Sequence, residues 1–296
     1  MNYYLRAVKS GFCAAGILIF ISVPVRSQVL LYDTFTNGTR LTQNLPSSAH
    51  WYSGGLSNNV SVNSSGLVFA GDIGGSTPGS IHGGGLAYFT ASGSPYSLAI
   101  GQTMTLSFDY SYGQINSADW SFEFGLFNSG GSRVTTDDTS FNSSIFNAYS
   151  GYVAAGVLGP DPSGLGRYKI AERNLTANNL LTTSSYTILG SNTIQTAGTN
   201  AGVTYDASLT LAYAASGEMI LTSDLDGQML VRTNTSGLVT SFDTVGIFAP
   251  GTPGTFTFGN VQVDVTSAPE PSIPELTAIG MLTLLGINIR RRPPNG

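Results

Sequence analysis

Between Val29 and Val265 the apolar positions fall in short runs rich in Val, Ile, Thr, Tyr and Phe, each closed by Gly, Asn, Ser, Asp or Pro. Two runs alternate strictly, Thr105-Leu106-Ser107-Phe108-Asp109-Tyr110 and Ser121-Phe122-Glu123-Phe124-Gly125-Leu126. Successive side chains of a strand point to opposite faces, so this alternation predicts half-buried strands with one wet face. Helical periodicity is almost absent. The pattern predicts strands near Val29–Phe35, Val60–Phe69, Leu86–Thr90, Met104–Tyr112, Ser121–Asn128 and Tyr149–Val157. More follow near Tyr168–Ala171, Leu209–Tyr213, Glu218–Ser223, Gln228–Thr233, Asp243–Phe248 and Thr255–Val265. About a dozen strands at near-regular spacing predict an all-β antiparallel sandwich of jelly-roll type. Asp226-Gly227, between two such runs, is the signature of a tight hairpin with positive φ. Ala70-Gly71-Asp72-Ile73-Gly74-Gly75 reads as a flexible loop, and the polar stretch 174–200 as a long one.

The two ends differ from this body. Arg6 and Lys9 precede the apolar run Phe12–Val25, and Val25 and Ser27 are small enough for the −3 and −1 positions of a leader cleavage site. Cleavage there makes Gln28 the first mature residue. Residues 1–27 are therefore read as a signal peptide, with an uncleaved membrane anchor as the alternative. At the other end, Pro269-Glu270-Pro271 is followed by the apolar segment Leu276–Ile289 and then by Arg290, Arg291 and Arg292. That segment falls short of the roughly 20 residues of a comfortable transmembrane helix, and its basic end is expected to stay on the cytoplasmic side.

These three parts in this order resemble the PEP-CTERM sorting signal, over about the last 28 residues. Pro269, Glu270 and Pro271 match its motif, whereas Glu275 and the trailing Pro293–Gly296 depart from it. The resemblance implies recognition and cleavage by an exosortase, a membrane-embedded cysteine protease, after transient anchoring in the inner membrane of a Gram-negative-type bacterium. A retained C-terminal anchor is the alternative. The expected organisation is signal peptide 1–27, β-sandwich body 28–267 and sorting tail 268–296.

Composition narrows the picture. Charged residues make up 10% of the chain, but 41% is hydrophobic and 10% aromatic, which a disordered chain lacks. From Gln28 to Ala268 there are 6 basic and 15 acidic residues. So acidic a body argues against nucleic acid as a partner, because phosphate contacts need basic patches. The sole cysteine, Cys13, lies in the leader, so the body is expected to have no disulfide, no Cys-ligated metal and no Cys nucleophile.

Catalytic candidates are few. His50 and His82 are the only histidines. Glu123 is the one acid of its strand, without the second carboxylate that glycoside hydrolysis requires, and its parity places it on the solvent side. No residue is assigned as catalytic. Asp137 and Asp138, and Asp224 and Asp226, are candidate calcium ligands by their clustered oxygens. Trp51, Tyr52 and Trp120 are candidate sugar platforms, as are the pairs Tyr110 with Tyr112 and Tyr149 with Tyr152, because flat rings stack on pyranose C–H faces.

The late runs Ala207–Tyr213, Glu218–Asp224, Gln228–Val231, Val245-Gly246-Ile247 and Asn260-Val261-Gln262-Val263 resemble concanavalin-A-like (laminin-G-like) jelly rolls, over about a fifth of the chain. That resemblance implies a fold and the option of calcium, and no activity. Three functions stay open at this point: a non-enzymatic surface, matrix or biofilm protein; a lectin-like module binding extracellular polysaccharide; and a secreted glycoside hydrolase or lyase. Convergence of exposed aromatics in one groove favours the second, and burial of them favours the first.

Overall fold

The computed structural model describes residues 27–55, 60–72, 81–113, 120–137, 141–158, 168–173, 177–178, 180, 185–192, 200–250 and 253–267. Residues 1–26, the tail from 268, and Asp138 lie outside these. Of Trp120 and His82 only the backbone is described.

The body is built almost wholly of strands. In chain order they are β1 Ser27–Asp33, β2 Trp51–Gly55, β3 Val60–Asn63, β4 Gly66–Asp72, β5 Ile81–Tyr88, β6 Tyr96–Ser97, β7 Gln102–Tyr112, β8 Trp120–Asn128 and β9 Ser150–Leu158. There follow β10 Tyr168–Arg173, β11 Tyr186–Asn192, β12 Thr204–Tyr213, β13 Met219–Leu225, β14 Gln228–Asn234, β15 Ser241–Phe242, β16 Thr244–Pro250 and β17 Pro253–Ser267. One sheet has the order β14-β13-β12-β7-β17-β4-β3, with β1 also on β17. The other runs β11-β10-β9-β8-β16-β5-β2. We call them sheet A and sheet B. Every pairing in both is antiparallel. The chain passes repeatedly from one sheet to the other, so that β17, last in sequence, sits between β7 and β4. This is the predicted all-β jelly-roll sandwich. Among the described residues no helix is long and apolar enough to cross a membrane.

The alternation read in the sequence sets which faces meet. In β7, Met104, Leu106, Phe108, Tyr110 and Tyr112 are buried, while Thr103, Thr105, Ser107, Asp109 and Ser111 between them stay partly open. They pack against Phe122, Phe124 and Leu126 of β8 in one inter-sheet core. Each fully buried side chain of this size contributes about 1.5–3 kcal/mol of transfer free energy. The Asp226-Gly227 turn forms as expected: both residues have positive φ, 49° and 80°, and Leu225 pairs with Gln228 across it.

Three expectations change. Val60–Phe69 is two strands, β3 and β4. Asn63 Oδ1 accepts the Ser65 amide at 2.8 Å, and Gly66 takes φ 133° against the Phe258 carbonyl, where any Cβ would collide. Neither expected loop is all loop: Ala70, Gly71 and Asp72 end β4, paired with Thr255, Gly254 and Pro253 of β17, and the stretch 174–200 supplies the edge strand β11. The third change concerns β8, whose second face is not wet. Phe127 joins Leu86, Tyr88, Phe141, Phe146, Tyr149, Val153, Ala171, Tyr186 and Phe248 in a second core on the outer side of sheet B.

Candidate functional site

The second core covers much of the outer face of sheet B. The strap between β8 and β9 carries Phe141 and, in a 3-10 turn over Ser144–Ala148, Phe146. Glycines on the sheet make room for their rings. A Cβ on Gly54 would sit 2.2 Å from the Phe141 ring, and one on Gly246 would sit 2.5 Å from Phe248. The strap is pinned at both ends by buried polar groups. Asp243 accepts from Ser129 N (2.8 Å), Ser129 Oγ (2.6 Å) and Arg133 Nη2 (3.0 Å), and Arg133 lies 4.4 Å over the Tyr88 ring. Arg173 donates to the carbonyls of Tyr149 (3.1 Å) and Phe146 (3.0 Å).

Trp51 is not a sugar platform. It is fully buried, with its ring 5.8 Å from Phe35 and 5.3 Å from Phe258. Its Nε1 donates to Asp33 Oδ2 at 3.0 Å. The Asp33 carboxylate also accepts from the Ala49 amide (3.1 Å) and the Phe35 amide (2.9 Å), so one buried acid ties β1 to β2. The physical reason is pairing: β2 joins sheet B through β5 and turns Trp51 inward. Tyr52, its neighbour, is half-buried and stacks on His50 at 4.3 Å. Tyr110, Tyr112, Tyr149 and Tyr152 are all buried. The Trp120 side chain lies outside the described residues.

Asp137 is likewise engaged. Arg40 grips it with Nη1 at 3.0 Å and Nη2 at 2.6 Å, and the Ser53 amide donates to it at 2.8 Å. Burial works against its charge, but these donors outweigh burial and hold the carboxyl below its ordinary range. A carboxylate spent on a bidentate arginine is a poor calcium ligand.

Asp224 and Asp226 do converge, with residues that spacing alone did not single out. On the outer face of sheet A, Asp109 of β7 stands opposite Asp206 of β12, and Gly259 of β17 flanks Asp109 on the other side. The register of β17 shifts between Gly259 and Gln262, and within the shift Asn260 takes φ 49° and donates from Nδ2 to Asp109. A bulge of this kind re-aims a side chain. Asp109, Asp206, Asp224, Asp226 and Asn260 line a depression of about 290 Å³. A second, of about 380 Å³, shares Asp109 and Asn260 and adds Thr34, Ser111, Thr204 and Thr257. Burial, with Asp109 close by, raises the Asp206 carboxyl above its ordinary value. Among the described residues no three His, Cys, Asp or Glu side chains are arranged to hold a metal ion. The arrangement offers acceptors and hydroxyls to a neutral polar ligand.

Glu123 corrects another expectation. It is 1% exposed, on the outer face of sheet B between Phe248 and Ala155 in register, and its Oε2 has no hydrogen-bond partner among the described residues. Burial pushes its carboxyl up to about 7, with Lys169 pulling the other way. The solvent-side reading failed because the other face of β8 is covered by the second core. Ser27 and Gln28, the predicted cleavage residues, open β1. The sorting residues Pro269, Glu270, Pro271, Arg290, Arg291 and Arg292 lie outside the described residues.

No family model matches the chain, and no curated protein does. Solved structures with a similar arrangement include the alginate lyase Aly36B (9% identity, 80% of this chain and 96% of that one, TM-score 0.46). Others are the Emp47p carbohydrate recognition domain (10%, 74% and 89%, TM-score 0.44) and peanut lectin (9%, 84% and 100%, TM-score 0.41). At these scores the likenesses carry no argument about ligand or activity. The fold rests on the strand pairing itself.

Proposed function

We propose that this chain is an exported cell-surface or extracellular-matrix protein with a non-enzymatic structural role, delivered by an exosortase-type system. The observation that supports this reading is where the chemistry-bearing side chains go. Trp51 and the paired tyrosines serve as packing, Asp33 and Asp243 serve as buried anchors, Asp137 is held by Arg40, and Glu123 is enclosed beside Tyr186 with Lys169 near it. The body is thus built for durability without disulfides, and its delivery is written in the two ends. Under this reading the partners are a leader peptidase, an exosortase-like protease and, transiently, the inner membrane. The test is cell fractionation with intact-mass measurement: the protein belongs in the envelope or medium fraction, shortened at both ends.

A second reading has its own support. The polar depressions at Asp109, Asp206 and Asn260 suit a neutral oligosaccharide, whose hydroxyls donate to carboxylates. On a glycan array, binding through this face is lost in Asp109→Ala and kept in Trp51→Phe. Binding that survives Asp109→Ala refutes this site.

A further inference from the structure

Two strands share one side of β17 and leave a gap between them. β1 pairs with Val261–Thr266 and β4 with Pro253–Phe258, while β7 runs along the opposite side. Gly259 and Asn260 fall in the gap. The β7 register also breaks there, so Asn260 is paired on neither side. Sheet A is open at this point, and the depression of about 380 Å³ is lined by both residues. Thr34, just past β1, and Ser64 and Ser65, between β3 and β4, line it from the gap side, and Ser111 and Thr204 from β7 and β12. Among the described residues lining this depression and its neighbour there is no Lys, Arg or His. Tyr32 stands beside the opening. It pairs with Gln262, two residues from Asn260, and Thr34 lies two residues farther along its own chain. Leu31 and Asp33 are buried while Tyr32 and Thr34 are open, so these two share the outer face, about 7 Å apart. Tyr32 is 47% exposed, whereas Trp51, Tyr110, Tyr112, Tyr149 and Tyr152 are buried. Its backbone is fixed: Tyr32 N donates to the Pro46 carbonyl at 2.6 Å, and Asp33 is bound to Trp51. An exposed ring on a fixed backbone costs little ordering on binding.

We propose that the opening between β1 and β4 is an oligosaccharide subsite with Tyr32 as its stacking platform, and that it takes a neutral sugar chain and rejects a uronate. This rests on the second reading above, in which the depressions at Asp109, Asp206 and Asn260 hold an oligosaccharide. The ring supplies an apolar face for the C–H side of a pyranose while its hydroxyl stays wet. The hydroxyls of Thr34, Ser64, Ser65, Ser111 and Thr204 surround the opening beside it. Asn260 donates to Asp109 Oδ2 and so orients the carboxylate at the junction of the two depressions. Each depression alone lies at the small end of ligand sites, which run from roughly 300 to 1,000 Å³. A chain of linked sugars laid across the junction uses both. Carboxylates without a base among them accept from sugar hydroxyls and repel a uronate, which gives the site its choice.

An array of neutral and uronate oligosaccharides, probed with the full-length chain and followed by titration of the sugars that bind, tests this. Wild type is expected to bind neutral chains and no uronate. Tyr32→Ala should bind about tenfold more weakly, the size of a lost aromatic contact, and Tyr32→Phe should keep wild-type affinity. Tyr32→Leu retains apolar bulk without a flat ring, so it should lose binding as Tyr32→Ala does even if the alanine variant folds poorly. Wild-type affinity in Tyr32→Ala and Tyr32→Leu, with binding lost in Asp109→Ala, overturns the platform and leaves the second reading standing. Uronates bound as well as neutral chains overturn the choice of sugar. Binding to no oligosaccharide overturns the second reading and this proposal with it.

Discussion

Trp51→Ala destabilises the body by about 3–5 kcal/mol, the range for removing a large buried aromatic. The indole fills the space between Phe35 and Phe258 and supplies one of three donors to the buried Asp33 carboxylate. Deleting it leaves a cavity and a charge with one hydrogen bond fewer, and both effects act in the same direction. Trp51→Phe separates them by restoring most of the volume without the N–H. Equilibrium urea unfolding of the three proteins measures this. A Trp51→Ala protein as stable as wild type contradicts the buried role and returns Trp51 to the surface, where a ligand could use it.

Stability falls as pH rises through neutrality, and Glu123 is the principal cause. Its carboxyl is raised from 4.5 to about 7 in the folded protein. A raised pKa means the folded state holds the proton more tightly than the unfolded state. The contribution is fully present below pH 4.5 and is lost as pH rises through 7, a change of about 3 kcal/mol by linkage. Lys169 opposes the shift, and Tyr186, whose own hydroxyl burial pushes up, is the other titratable group beside it. Burial raises the carboxyls of Glu172, Asp206 and Asp264 too, and they add slope of the same sign. Glu123→Gln keeps shape and removes the charge, so it is more stable than wild type at pH 8 and flattens the profile between pH 5 and 8. Thermal unfolding at stepped pH reads both. A Glu123→Gln profile that still drops steeply through pH 7 rules the residue out as the source.

Strand identity was legible where one face is wet. Thr105 to Tyr110 alternates because its outer side meets solvent, and Asp226-Gly227 declares its own turn. What escaped is what depends on a second layer. Glu123 and Phe127 look like the outer side of an open strand until Phe141 and Phe146, remote in sequence, cover them. Trp51 and Tyr52 look like exposed aromatics because β2 is only five residues long and its role comes from pairing with β5. Asp109, Asp206 and Asn260 are scattered over about half the chain, and only register and the β17 bulge bring them together. Asp33 carried no sequence signal at all, being one aspartate at the end of one strand. The expected export signals are the reverse case, because the residues that would carry them, such as Pro269-Glu270-Pro271 and Arg290 to Arg292, stand in linear order and are read without the fold.

The most direct measurement is the intact mass of the protein recovered from the surface or medium of a host that has an exosortase. The expected species begins at Gln28 and lacks the chain from about Leu276 onward. A full-length species that keeps both ends and stays in the cytoplasm contradicts an exported, sorted surface protein.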